Sequence, residues 1–184
     1  MITPTFIKFD ETFFNQKFAN KYLTDKRTLR IGNIISFIGN VDYNIEGKKY
    51  FSEQAINWLL EIPEISNYAG VCFQKLFITN VANLLANKFY KAEVEVKNND
   101  IFILKEHENA GIHQVDGVVS ISYIKNVNGA ILIHLGLHNN AGCLSHPRSF
   151  SLGLSEEIAG NFMDMVNESF YQLANSIFLQ TAKM

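Results

Sequence analysis

The clearest periodicity lies near the C-terminal end of the sequence. From Leu154 onward, Ile158, Phe162, Val166, Phe170, Leu173 and Ile177 fall at intervals of three or four. That unbroken apolar stripe predicts an amphipathic helix from Ser155 to about Gln180. A second helix is predicted over Tyr68–Tyr90, where Cys72, Phe73, Leu76, Val81, Leu84, Leu85 and Phe89 recur mostly three to five apart. It is hydrophobic enough to be the central buried helix. Two shorter helices are expected, Phe14–Leu23 and Ser52–Leu60. The latter has a start signal: Ser52 as N-cap, Glu53 and Gln54 in the first turn, and Phe51 placed to staple onto Ile56.

The other segments carry strand signals. Thr5–Phe9 reads as a short strand, and the β-branched run Leu29–Ile38 as a longer one ending at the turn signal Gly39-Asn40. Ala92–Val96 and Asp100–Leu104 pair as a hairpin around Lys97-Asn98-Asn99, followed by a polar loop over Lys105–Val115. Two strong strands, Gly117–Ile124 and Gly129–His138, are joined by Lys125-Asn126-Val127-Asn128, and a short strand is expected near Ser149–Ser151. Strand runs interrupted by separate helices predict an α+β fold, a mostly antiparallel sheet with helices packed on one face. Only Pro4, Pro63 and Pro147 punctuate the chain, and no segment is linker-like, so residues 1–184 read as a single domain.

Alternation assigns faces to the two strong strands. Val119, Ile121 and Tyr123 share one side of the first, Ser120 and Ser122 the other. On the second, Ile131, Ile133, Leu135 and Leu137 share one side, and His134, Gly136 and His138 the other. The expectation is one greasy wall under the helices, with Ile121, Ile133 and Leu135 buried there. The opposite face would be small and polar, carrying Ser120, Ser122, His134, Gly136 and His138 together, either as a solvated sheet face or as a ligand floor. A glycine in mid-strand marks a close approach by a ligand or by another backbone.

Composition narrows the function classes. The 184 residues are 47% hydrophobic and 18% charged with 15 Phe, which excludes a disordered chain. A net charge of -2 and only three arginines (Arg27, Arg30, Arg148) argue against nucleic acid as a partner. No stretch approaches 18 consecutive apolar residues and the N-terminus is not that of a signal peptide, so neither membrane nor export is expected. Two cysteines, Cys72 and Cys143, fit a reducing cytoplasm. Twenty asparagines beside three arginines suggest AT-rich coding, which lowers the functional weight of any single Asn.

Candidate chemistry is sparse. His134 and His138, four apart on a strand, lie about 13 Å apart and cannot share an ion; Glu106-His107-Glu108 and His113 have no ligand spacing, so no metal site is expected. Cys143-Leu144-Ser145-His146 sets a thiol three residues before an imidazole, which would lower the thiol pKa if the two met. Arg148, in a chain so poor in arginine, reads either as an ordinary surface ion pair or as a bidentate grip on a carboxylate or phosphate. There is no Walker loop, G-x-G-x-x-G or G-x-S-x-G.

Three pieces in order resemble the biotin–lipoate protein ligase family, related to the class II synthetase core: Lys97-Asn98-Asn99-Asp100-Ile101-Phe102-Ile103, Gly117-Val118-Val119-Ser120-Ile121 and His134-Leu135-Gly136-Leu137-His138-Asn139-Asn140. Over nearly its whole length the chain also resembles a small uncharacterised prokaryotic family with this fold, through Gly32-Asn33-Ile34-Ile35-Ser36-Phe37, Phe73-Gln74-Lys75-Leu76 and the His-x-Gly-Leu strand. The resemblance implies a small carboxylate or acyl ligand and an acyl, lipoyl or biotinyl transfer. Lys97 would face the carboxylate or acyl end, Asn99 and Asp100 would orient it or a bound ion, and Ser120, Ser122, His134 and Gly136 would form the floor. A cysteine-dependent acyltransferase of the octanoyl-transfer kind would use Cys143 instead. The Arg/Gly-rich adenylate loop has no counterpart, and the family's Gly-Arg-Lys becomes His113-Gln114-Val115-Asp116. Weak or no ATP binding is therefore expected, and the alternative is a non-catalytic small-molecule or protein-binding module. The sequence does not identify a cofactor, and a homodimer remains open.

Overall fold

The computed structural model describes residues 7–9, 33–45, 47–63, 65–88, 94–106 and 113–181. In chain order these form β1 (Ile7–Phe9), β2 (Asn33–Ile45), β3 (Lys48–Pro63), α1 (Asn67–Lys88), β4 (Val94–Lys97), β5 (Asp100–Glu106), β6 (His113–Val118), β7 (Ser120–Val127), β8 (Ala130–Asn140) and α2 (Glu156–Thr181). The expected helix over 14–23 lies outside the described residues, as do Arg27 and Arg30. A five-stranded sheet runs β1-β2-β3-β8-β7, and a three-stranded sheet runs β4-β5-β6. Only the β1–β2 pairing is parallel among the described ladders, so the expected α+β class and mostly antiparallel sheet are observed.

The largest correction concerns Ser52–Leu60. It is strand, the middle of β3, hydrogen-bonded to β2 on one side and β8 on the other. Ile56, Trp58, Leu60 and Ile62 alternate toward the helices, while Ala55, Asn57 and Leu59 are buried on the opposite side. A central strand covered on both faces reads as a nearly continuous apolar run, which periodicity cannot tell from a short helix. The cap signature at Ser52 is real chemistry put to another use: its hydroxyl meets the carbonyls of Gln54 and Asn140, at 3.0 Å each.

Gly39-Asn40 is likewise no strand end. β2 runs through it to Ile45, and the register with β3 slips between Gly39 and Val41. The expected single strand Gly117–Ile124 is split at Val119, where the chain passes from the small sheet to the large one. The Val119 amide donates to Ile101 O and its carbonyl accepts from the His138 amide. Gly117 is needed there, because a Cβ would stand 2.7 Å from Arg148 O and 2.8 Å from Phe150 Cβ. That contact carries the bridge Val118–Ser149, all that is observed of the short strand expected near Ser149–Ser151.

Both helices pack on one face of the large sheet. Trp58, Leu60, Ile133, Leu135 and Leu137 meet Phe73, Phe77, Val81 and Leu85 of α1 and Phe162, Val166 and Phe170 of α2. Ile101 and Ile103 of β5 join the same core, tying the small sheet to it. α1 is long and apolar enough to pass for a membrane span, and its apolar residues divide between this core and an exposed stripe of Tyr68, Val71 and Leu76. It is thus a half-covered helix rather than the central buried one expected.

Candidate functional site

Register decides which side chains share the face away from the helices. Phe37, Asn57, Gly136 and Ile121 form one row across β2, β3, β8 and β7; Ile35, Leu59, His134 and Tyr123 form the next. His134, Gly136 and His138 therefore occupy the expected face. Ser120 and Ser122 do not: they pair with Leu137 and Leu135 and lie on the helix side. The alternation within each strand was read correctly, but the relative register of the two was off by one residue, and one residue exchanges the faces. Ile121 accordingly packs on the hairpin side with Phe37, Val41 and Leu59.

Both serines are committed to the architecture. Ser120 Oγ accepts the Ile101 amide at 2.7 Å, joining the two sheets, and Ser122 Oγ accepts from Gln74 Nε2 of α1 at 2.7 Å. Facing the helices, neither joins His134, Gly136 and His138 in one floor.

What stands on the hairpin-side face is a buried polar chain. Asn57 Nδ2 donates to Ala55 O at 3.0 Å and to Gly39 O at 3.5 Å, which leaves its Oδ1 to accept. His134 Nε2 lies 2.9 Å from that oxygen, and His134 Nδ1 lies 3.1 Å from the Tyr43 hydroxyl. The directions fit one assignment: Tyr43 O–H donates to Nδ1 and Nε2–H donates to Asn57, a neutral imidazole. Burial pushes the His134 pKa down to about 3, and raises that of Tyr43 well above the usual phenol, helped by Tyr50 and Tyr123. Gly136 serves this chain, since a Cβ would meet Asn57 Oδ1 at 3.0 Å and the His134 ring at 3.4 Å. The mid-strand glycine thus marks the close approach of a neighbouring side chain.

His138 lies farther along the same strand beside Ala55, only 3% exposed, with its pKa held down to about 4 by burial. Its Nδ1 has no hydrogen-bond partner among the described residues. Next to it Asn139 is a strut: it donates to Gln54 Oε1 and Leu154 O and accepts the Leu154 amide at 2.7 Å.

The remaining candidates sit on other elements. Lys97 is an exposed residue at the end of β4, ion-paired with Glu95. Asn98 and Asn99 form the turn with φ of 53° and 70°, a left-handed pair that asparagine tolerates and that two-residue hairpins favour. Asp100 opens β5 half-buried, its carboxyl raised by burial against the pull of Lys48. Cys143 is exposed in the loop after β8, where His146 Nδ1 accepts the Arg148 amide at 3.2 Å. Arg148 is exposed, and its carbonyl takes the Val118 amide. Among the described residues no three metal-ligating side chains gather. Sequence reasoning missed Tyr43 and Asn57; the glycine at 136 was a signal for Asn57, and no sequence signal pointed to Tyr43.

No family model matches the chain, and no curated protein matches it. Among solved structures it is similar to a protein of unknown function from Pyrococcus horikoshi, with 18% identity, TM-score 0.77, and coverage of 100% of this chain and 95% of that one. It is also similar to the biotin acetyl coenzyme A carboxylase synthetase of Helicobacter pylori, with 12% identity and TM-score 0.47 over 89% of this chain and 75% of that one. The biotin protein ligase of Leishmania major gives 8% identity and TM-score 0.47 over 72% and 63%. The chain shares the fold of the Pyrococcus protein from end to end.

Proposed function

We propose that this protein is a non-catalytic binding module for a small carboxylic or acyl ligand, seated on the hairpin-side face of the large sheet. The observation that carries this reading is the buried Tyr43–His134–Asn57 chain. An imidazole and an amide held in fixed directions are suited to a carboxyl group, and displacing the Tyr43 hydroxyl would open His134 Nδ1 to it. A carboxylate arriving there brings the charge that favours the imidazolium, so binding would draw a proton onto His134. The Nδ1 of His138 on the same face, without a hydrogen-bond partner among the described residues, supplies a further polar contact.

Catalysis is not part of the proposal. Lys97 is engaged by Glu95 and exposed, and Cys143 is exposed on a different loop, so the two residues implied by ligase or acyl-transfer chemistry are placed on separate elements. The two free thiols fit a cytoplasmic location.

Native mass spectrometry and thermal shift with octanoate, lipoate and biotin, each with and without Mg-ATP, test the reading. The expected result is ATP-independent binding by at least one acid, weakened in His134→Gln, without pyrophosphate release. Tight magnesium-dependent ATP binding with an acyl adenylate would restore the ligase reading. A stable acyl adduct from a thioester donor, absent in Cys143→Ser, would establish the transferase.

A further inference from the structure

We propose that the distal half of the β2–β3 hairpin, residues 41–45 and 47–52, is a strap that folds back over the sheet, hinges on a line of bulges and is latched by Tyr43. Three observations carry this. The first is a distance. Ile35 of β2 lies in register with Leu59, which pairs with His134. Tyr43 is eight residues beyond Ile35, roughly 26 Å along a straight strand. Its hydroxyl is nonetheless 3.1 Å from His134 Nδ1. A tyrosine side chain cannot span the difference, so the hairpin itself doubles back across the face.

The second observation is where it bends. Pairing slips between Gly39 and Val41 on β2, opposite Glu53 and Gln54 of β3, and between Gln54 and Ala55 in the ladder to β8, at Asn139. Irregularities at one level on three adjacent strands interrupt the ladder along a line, and bulges bend and twist the strands that carry them. The third is the closure. Tyr43 meets the His134 ring edgewise and is backed by Tyr50 of the opposite strand, with ring centroids 4.9 Å apart, so the strap presses Tyr43 onto the face. Beneath lie Asn57 and Gly136. What the strap covers rests on the proposed function; the hinge and the latch do not.

Hydrogen–deuterium exchange on the full chain without ligand tests the strap. In Tyr43→Phe, peptides covering 41–52 should exchange roughly tenfold faster, the effect of losing one buried hydrogen bond. Peptides covering 54–62 and 131–138 should keep wild-type rates. Tyr50→Phe, which retains the stack and the latch, should leave all three unchanged. Unaltered exchange in 41–52 would overturn the proposal, as would equal acceleration of all three regions or the same acceleration in Tyr50→Phe. Since no ligand is present, this failure is separate from a failure of the acids to bind.

Discussion

The two faces of the large sheet are built on different principles. On the helix side, twenty-four buried hydrophobic residues among those described pack as one apolar core, with aromatic rings meeting edge to face: Trp58 on Phe162, Phe73 and Phe77 on Phe170. On the hairpin side the buried hydrophobic cluster has seven described members and encloses a histidine, an asparagine and a tyrosine in one hydrogen-bonded chain. The first face gains stability from area and is indifferent to pH. The second depends on groups that must stay neutral and fully bonded, because a buried polar atom left without a partner costs more than its hydrogen bond contributes. The sheet is thus anchored from one side and conditionally closed on the other.

The contrast can be broken most severely at Phe170, fully buried between Phe73 and Phe77. Phe170→Ala should cost about 3–5 kcal/mol in urea denaturation, by lost transfer energy plus the cavity. A cost under 1 kcal/mol would deny that this face is the anchor.

Acid attacks the other face. His134 and His138 have pKa values pushed down by burial to about 3 and about 4, against about 6.5 when unfolded. The unfolded chain therefore binds more protons through this window. The stability these residues contribute is complete above pH 6.5 and is lost as pH falls toward 4 and then 3. The loss is on the order of 1 kcal/mol per pH unit for each histidine, and His134→Gln should roughly halve that slope. A flat stability profile from pH 7 to 4.5 would contradict the burial of both rings.

Gly136→Ala should destabilise by about 1–3 kcal/mol, because the new methyl meets an Asn57 carbonyl oxygen that its own amide bonds hold in place. The same substitution should shift the His134 imidazole resonances, which a purely steric effect elsewhere would leave alone. Tyr43→Phe removes one hydroxyl from the chain and should cost about 1 kcal/mol. Smallest is Lys97→Ala, which deletes an exposed ion pair with Glu95 and should change stability by less than about 0.5 kcal/mol. It should leave acid binding unaltered; a loss of binding would bring Lys97 back into the site.

Much of the architecture was legible because it is local. α1 and α2 announce themselves by spacing, the Asn98-Asn99 turn by its residues, and β8 by alternation with the right face inward. Ser52–Leu60 failed for a local reason too: capping residues and an apolar run describe a helix start as well as a doubly buried strand. The candidate site was legible in half. His134, Gly136 and His138 were placed on the correct face. Asn57 was hidden among twenty asparagines, and Tyr43 in a segment that carried no strand signal.

By itself the sequence determined which segments bury an apolar side, where several of them turn, and that a mid-strand glycine admits a close neighbour. These follow from the 3.6- and 2-residue periods and from the φ angles that individual residues allow. Only the tertiary structure decided which neighbours meet. Register between β7 and β8 sent Ser120 and Ser122 to the helix side, because one residue of slip exchanges the faces of a strand. The bulges at Glu53-Gln54 and Asn139 brought Tyr43 back onto His134 across a distance that straight strands would keep open. Both are properties of pairing between strands distant in sequence, and a pattern read along one chain carries no term for them.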